Sequence, residues 1–132
     1  MVDGVAEYLK RLKKFARLEV REVPECRTVE GEGQKILSLV PKDSWLCVLD
    51  VSGEALSSED FAKKIAALNL SGISNLTFAI GGAFGLSEEL RRAASFRLSL
   101  SEMTFTHQMA RLILVEQIYR AFKINRHEPY HW

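Results

Sequence analysis

Trp45-Leu46-Cys47-Val48-Leu49-Asp50 sets the fold: an unbroken apolar run, preceded by Pro41 and closed by a carboxylate. A strand that alternates apolar and polar residues hides one face, whereas one apolar at every position is buried on both, as in a parallel sheet covered by helices. A second strand is expected over Leu76 to Ile80, and a third where Phe96, Leu98 and Leu100 alternate. The segments between them read as helices. Ser57-Ser58-Glu59-Asp60 has capping-box spacing and leads into a stripe of Phe61, Ile65 and Leu68. Ser87-Glu88-Glu89 can cap another helix, with Leu90, Ala93 and Ala94 turned inward. Strands alternating with helices predict an α/β fold, a mainly parallel sheet with flanking helices, whose ligands gather beyond the carboxyl ends of the strands. Asp50, Gly81 and Ser101 would meet at that edge.

Toward the amino end, Val5, Tyr8, Leu9, Leu12, Phe15 and Ala16 recur at helical spacing. Leu18, Val20 and Val23 then alternate with Glu19, Arg21 and Glu22 as an edge-like strand. A loop is expected from Pro24 to Gly33, then a short helix through Ile36, Leu37 and Leu39. Opening on a helix is unusual for such a fold, which commonly begins with a central strand. Toward the other end a helix is expected from about His107 to Ile124. Its apolar residues, from Met109 through Phe122, cover more than the single stripe one sheet face requires. A second burial partner is needed: a two-fold homodimer contact is the economical one, a helix sunk inside its own monomer the competing one.

A chain of 132 residues forms one domain with a single core. Its 47% hydrophobic and 27% charged content is ordinary for a globular protein, so neither disorder nor a membrane class is indicated. The amino end carries charges where a signal peptide needs an apolar run, which predicts a cytoplasmic protein. Cys26 and Cys47, the two cysteines, are too few for a disulfide framework and read as free thiols. A net charge of +1 does not advertise a nucleic-acid binder, so any polyanion site must be local. Lys10, Arg11, Lys13, Lys14 and Arg17 would lie on one side of the first helix, as such a site or as a solvated face.

Three segments concentrate chemistry. Gly81-Gly82-Ala83-Phe84-Gly85 follows a strand, where bare backbone lets a ligand approach closely; it also serves as an ordinary tight turn. It has neither dinucleotide-fingerprint spacing nor a phosphate-gripping Gly-Lys-Ser/Thr ending. Leu100-Ser101-Glu102-Met103-Thr104-Phe105 could surround a flat heterocycle with backbone polar groups between apolar walls, or simply connect strand to helix with Thr104 or Thr106 as cap. His127-Glu128-Pro129-Tyr130-His131-Trp132 brings imidazole, phenol and carboxylate to the chain end. His107, His127 and His131 with Glu116 and Glu128 lack metal-ligand spacing, so no metal is expected. No serine sits in a nucleophile elbow.

Leu49-Asp50, Ile80-Gly81-Gly82 with Gly85-Leu86, Leu98-Ser99-Leu100-Ser101 with Met103-Thr104-Phe105 and His107, and Glu128-Pro129-Tyr130-His131 together resemble the RlmH family. Its members are SPOUT-class methyltransferases that methylate N3 of a pseudouridine in 23S ribosomal RNA. The resemblance implies a carboxyl-terminal trefoil knot, S-adenosyl-L-methionine as cofactor, a homodimer, and 23S rRNA within the ribosome as partner. The general rarity of knots would not have suggested the first of these. By motif position it implies cofactor contacts from Leu49, Gly81, Gly82, Leu100, Ser101, Glu102, Met103, Thr104 and Phe105. Tyr130, His131, His107 and Arg111 would address the target nucleotide as the catalytic set. The whole chain, residues 1–132, would form a single SPOUT domain. It departs from the family in lacking the initial strand, in an abbreviated Pro24 to Gly33 loop, and in Trp132 where a polar residue often follows. A degenerate SPOUT domain that binds without transferring methyl, and a flavodoxin-like nucleotide binder, are the alternative readings.

Overall fold

The computed structural model describes residues 2–24, 26–82 and 85–129. Three parallel strands, β1 (Trp45–Ala55), β2 (Leu76–Ala79) and β3 (Phe96–Ser99), form a sheet in the order β2-β1-β3. Burial on both faces makes β1 central: Leu46, Cys47 and Val48 are all buried, as their unbroken apolarity requires. The helices are α1 (Val2–Leu12), α2 (Val29–Leu39), α3 (Ser58–Leu70), α4 (Glu88–Ala93) and α5 (His107–Asn125).

Alternation along the strands splits the core in two. Leu46, Val48 and Ala79 pack with Leu86 and Leu90 against Ile36, Leu37 and Val40, so α2 and α4 cover one face. Cys47, Leu98 and the aromatic group of Trp45, Phe78 and Phe96 meet Phe61, Ala62, Ile65 and Ala121, so α3 and α5 cover the other. Phe61 and Ile65 are nearly fully buried, each contributing about 1.5–3 kcal/mol of transfer free energy. Trp45 stacks on Phe96 with centroids 6.0 Å apart and meets Phe78 edge-on at 6.3 Å. Burial pushes the Cys47 thiol up to about 12, so it is inert packing. Cys26 is also free, and half-buried.

The helix caps fall on the expected residues. Ser57 accepts from the Asp60 amide at 3.0 Å, Ser87 from Leu90 at 3.1 Å, and Thr106, of the two threonines considered, from Met109 at 3.3 Å. Helix α5 spans His107–Asn125, one residue beyond the expected end. Its second apolar side meets α1 and the turn after it in the same chain: Tyr8 and Phe15 pack on Tyr119, and Phe15 stacks on Phe122 at 5.6 Å and 3°. The excess surface that suggested a dimer is therefore partly absorbed within the monomer.

Five expectations need correction. The first strand does not close at Asp50: β1 runs on to Ala55, with an irregularity in its pairing with β3 between Leu49 and Glu54. Residues 18–23 form no strand; Leu18 and Val20 lie exposed, because a period-two pattern becomes a strand only where a neighbouring ladder accepts it. The loop assigned to Pro24 to Gly33 is shorter, since α2 begins at Val29 behind Thr28, whose side chain accepts from Gly31 at 3.0 Å. Ala93 is exposed rather than turned inward. The cationic stripe is not one helix face: α1 stops at Leu12, so Lys13, Lys14 and Arg17 lie beyond it, while Arg11 pairs with Glu7 at 3.0 Å.

Candidate functional site

Parallel strands deliver their carboxyl ends to one edge, and the expected cofactor residues converge there. Leu49 ends the regular part of β1, where pairing with β3 breaks between Leu49 and Glu54. At this irregularity one Asp50 carboxylate oxygen accepts from the Ser52 amide at 3.0 Å and hydroxyl at 2.8 Å. The other oxygen accepts from Arg91 Nε and Arg97 Nη1, both at 3.2 Å. Burial disfavours the Asp50 carboxylate, yet the Ser52 hydrogen bonds and the two guanidiniums outweigh it and hold the group below the usual carboxylate range. A charged, hydrogen-bonded corner thus sits immediately after Leu49.

At the end of β2, Gly81 approaches other backbone closely: a Cβ there would lie 2.7 Å from the Gly85 carbonyl oxygen. Gly85 closes the turn with its amide donating to the Gly82 carbonyl at 3.1 Å, at a φ of 85° that favours glycine. The Gly82 amide donates to Glu32 Oε1 at 3.0 Å, so the first turn of α2 braces the glycine turn from outside. Sequence reading missed Glu32 because it assigned those residues to a loop. The signal was present in Thr28 followed by Glu30 and Glu32, a cap before an acidic first turn.

Beyond β3, Leu100 packs into the α3/α5 core and Ser99 Oγ donates to the Ser101 carbonyl at 3.0 Å. The Ser101 hydroxyl accepts from the Met103 amide, also at 3.0 Å. Glu102, Met103, Thr104 and Phe105 are exposed, with Met103 at 73% and Phe105 at 40%. Glycines without side chains, ordered loop amides and uncovered apolar groups at one edge suit a flat, partly polar, partly apolar cofactor.

His107 is the exposed first residue of α5, and Arg111, one turn on, pairs with Glu22 at 2.9 Å. The structure brings these two together on one helix. Tyr130 and His131 lie outside the described residues. The tail's root is tied down where Glu128 pairs with Lys123 at 3.0 Å and Arg126 at 3.2 Å. The hydrogen bond from Lys123 chiefly depresses the Glu128 carboxyl. Among the described residues no group of histidine, cysteine and carboxylate side chains could hold a metal ion. No helix among them is long and apolar enough to cross a membrane.

A parallel α/β domain covered by helices on both faces, with Leu49, Gly81 and the Leu100–Phe105 loop at one carboxyl edge, is thereby defined. The family model described as "Predicted SPOUT methyltransferase" matches residues 1–131, and the chain belongs to that family. It is 49% identical over 140 residues to the ribosomal RNA large subunit methyltransferase H of Halothermothrix orenii, covering 97% of this chain and 88% of the relative. With the protein of the same description from Carboxydothermus hydrogenoformans the identity is 51% over 141 residues, covering 98% and 89%. With that from Enterococcus faecalis it is 43% over 143 residues, covering 99% and 90%.

Proposed function

We propose that this chain is an S-adenosyl-L-methionine-dependent methyltransferase of large-subunit ribosomal RNA that methylates N3 of a pseudouridine in 23S rRNA, acting on the assembled ribosome in the cytoplasm. The observation that carries the reading is the convergence of Leu49, Gly81–Gly82 and the Leu100–Phe105 loop at one sheet edge in a member of the SPOUT family. The names of its relatives support the rRNA substrate.

Bound S-adenosyl-L-methionine supplies an electrophilic sulfonium methyl. Gly81 and Gly82 would offer it bare backbone, Ser101, whose hydroxyl accepts from the Met103 amide, would order the loop beside it, and the exposed Met103 and Phe105 would wall its apolar parts. N3 of pseudouridine is a weak nucleophile until its proton leaves, and the His131 imidazole takes that proton near neutral pH. Tyr130 stacks on or hydrogen-bonds the target base. His107 and Arg111, at the start of α5, address the same nucleotide. A homodimer lets the tail of one copy complete the site of the other, and the family's trefoil knot would fold the Leu100–Phe105 loop around the cofactor.

The test is methyl transfer from radiolabelled S-adenosyl-L-methionine to ribosomes lacking the modification, with the labelled nucleotide mapped. Label at a 23S pseudouridine N3, lost in Tyr130→Phe and His131→Ala, is the expected result. Retained cofactor binding without transfer would establish the degenerate binder instead, and a yellow flavin absorbance the flavodoxin-like reading. Unchanged transfer in both variants would remove the tail from catalysis.

A further inference from the structure

Beside the Asp50 corner lies an open cleft of about 390 Å³ lined by Ser52, Glu88, Arg91, Arg92 and Arg97. Three guanidiniums face two carboxylates there, Asp50 beneath and Glu88 in the wall, so the cleft keeps net positive charge in a chain whose overall charge is only +1. Asp50 is almost wholly covered, its side chain 5% exposed, whereas Arg91 and Arg97 are 37% and 46% exposed. The buried carboxylate therefore anchors two arginines by one edge and leaves their remaining N–H donors to the cleft. A guanidinium carries five donors; Arg97 gives one to Asp50, and Arg91 one each to Asp50 and Glu88. Arg92 donates to the Glu88 backbone carbonyl at 3.4 Å and has no ion pair among the described residues.

Arginines held in place beside an open cleft lose little side-chain entropy on binding, and their planar forks match phosphate oxygens in pairs. Asp50 directly follows Leu49, so an anion in this cleft lies next to the proposed cofactor edge. We infer that the cleft binds a backbone phosphodiester of the RNA substrate flanking the target nucleotide, with Arg92 and Arg97 as its main ligands. Phosphate contacts of this kind set register and orientation rather than sequence preference. The inference rests on the proposed rRNA substrate.

The experiment measures binding of the full chain to ribosomes lacking the modification, at fixed magnesium and varied potassium chloride, for wild type, Arg92→Gln, Arg97→Gln and Lys13→Gln. Titration with S-adenosyl-L-methionine runs in parallel. Arg92→Gln, outside the Asp50 network, should weaken ribosome binding several-fold and flatten the plot of log affinity against log salt by about one unit for each phosphate no longer neutralised. Cofactor affinity should not change. Unaltered affinity and slope for both arginine variants overturn the site, as does an effect confined to Lys13→Gln, which would move the RNA onto the segment after α1. Loss of dimerisation by sedimentation in Arg92→Gln would make the cleft a subunit interface and overturn it too. A wild-type chain that takes up cofactor but binds no ribosome at any salt refutes the RNA substrate itself; normal wild-type binding with indifferent arginine variants refutes only this cleft.

Discussion

The ends of β1 and β2 are finished by the protein, whereas the loop after β3 is left uncovered. Asp50 is held by Ser52, Arg91 and Arg97, and the Gly81–Gly82 turn is closed by Gly85 and braced by Glu32. The Glu102–Phe105 segment instead presents apolar side chains to water. Two hydrogen-bonded walls and one exposed loop at a single edge fit a site in which the walls are set before binding and the loop gains its packing when something binds. Preorganised groups need not be ordered at the moment of binding, and that is where rigidity improves affinity.

The hydrogen-bonded side breaks most readily at Gly81. An added methyl meets backbone at 2.7 Å rather than a side chain that can swing away. Gly81→Ala is expected to cost about 2–3 kcal/mol in thermal or urea unfolding and to abolish measurable cofactor binding by calorimetry. Gly82→Ala is the control: its methyl meets the end of the flexible Glu32 side chain at 2.5 Å, so the stability loss should be clearly smaller.

Next is Asp50→Ala, which leaves two guanidiniums without their common acceptor and should cost about 2 kcal/mol in chemical denaturation. Its pH dependence has a definite sign. Because the folded carboxyl titrates below its ordinary value, the unfolded chain binds more protons in acid. The Asp50 contribution is then complete above the ordinary carboxylate range, near pH ~4, and disappears as pH falls through the lower folded value. The stability gap between wild type and Asp50→Asn should be constant around neutrality and close in acid.

A smaller effect belongs to Glu32. Removing the acceptor for the Gly82 amide should cost about 1 kcal/mol, read as a several-fold weaker cofactor affinity in Glu32→Ala. Glu32→Gln, which keeps a carbonyl within reach of that amide, should restore most of it. Equal weakening in both variants would mean that the charge, not the hydrogen bond, matters.

These residues also mark how far the sequence could be read. The strand starts and the helix caps at Ser57, Ser87 and Thr106 were legible because each follows from local periodicity or capping chemistry; the meeting of Asp50, Gly81 and Ser101 at one edge followed from the parallel-sheet reading, and Leu49 entered only through the family resemblance. Glu32, Arg91 and Arg97 were not, since their partners Gly82 and Asp50 are distant in sequence and charged residues on helices or strands ordinarily read as solvated. Leu18 to Val23 failed for the opposite reason: its alternation is a true strand pattern, but pairing is supplied by a neighbour and cannot be inferred from the segment itself. The second face of α5 was read as a need for burial without its source, which the aromatic contacts of Tyr8 and Phe15 from the other end of the chain partly provide.

The exposed loop gives the smallest effect and the sharpest test of the contrast. Met103, 73% exposed, contributes little to the isolated fold, so Met103→Ala should shift unfolding free energy by less than about 0.5 kcal/mol without cofactor. A ligand that binds only the folded state raises stability in proportion to the logarithm of its concentration over its dissociation constant. If the cofactor covers Met103, the thermal shift produced by saturating S-adenosyl-L-methionine should be smaller in Met103→Ala than in wild type, with the ligand-free midpoints equal. If a second copy of the chain covers it, the variant should already unfold earlier without cofactor, and its deficit should change with protein concentration. Equal shifts and equal midpoints would leave Met103 solvated in both states, and the β3 end would then owe its role to backbone groups rather than apolar walls.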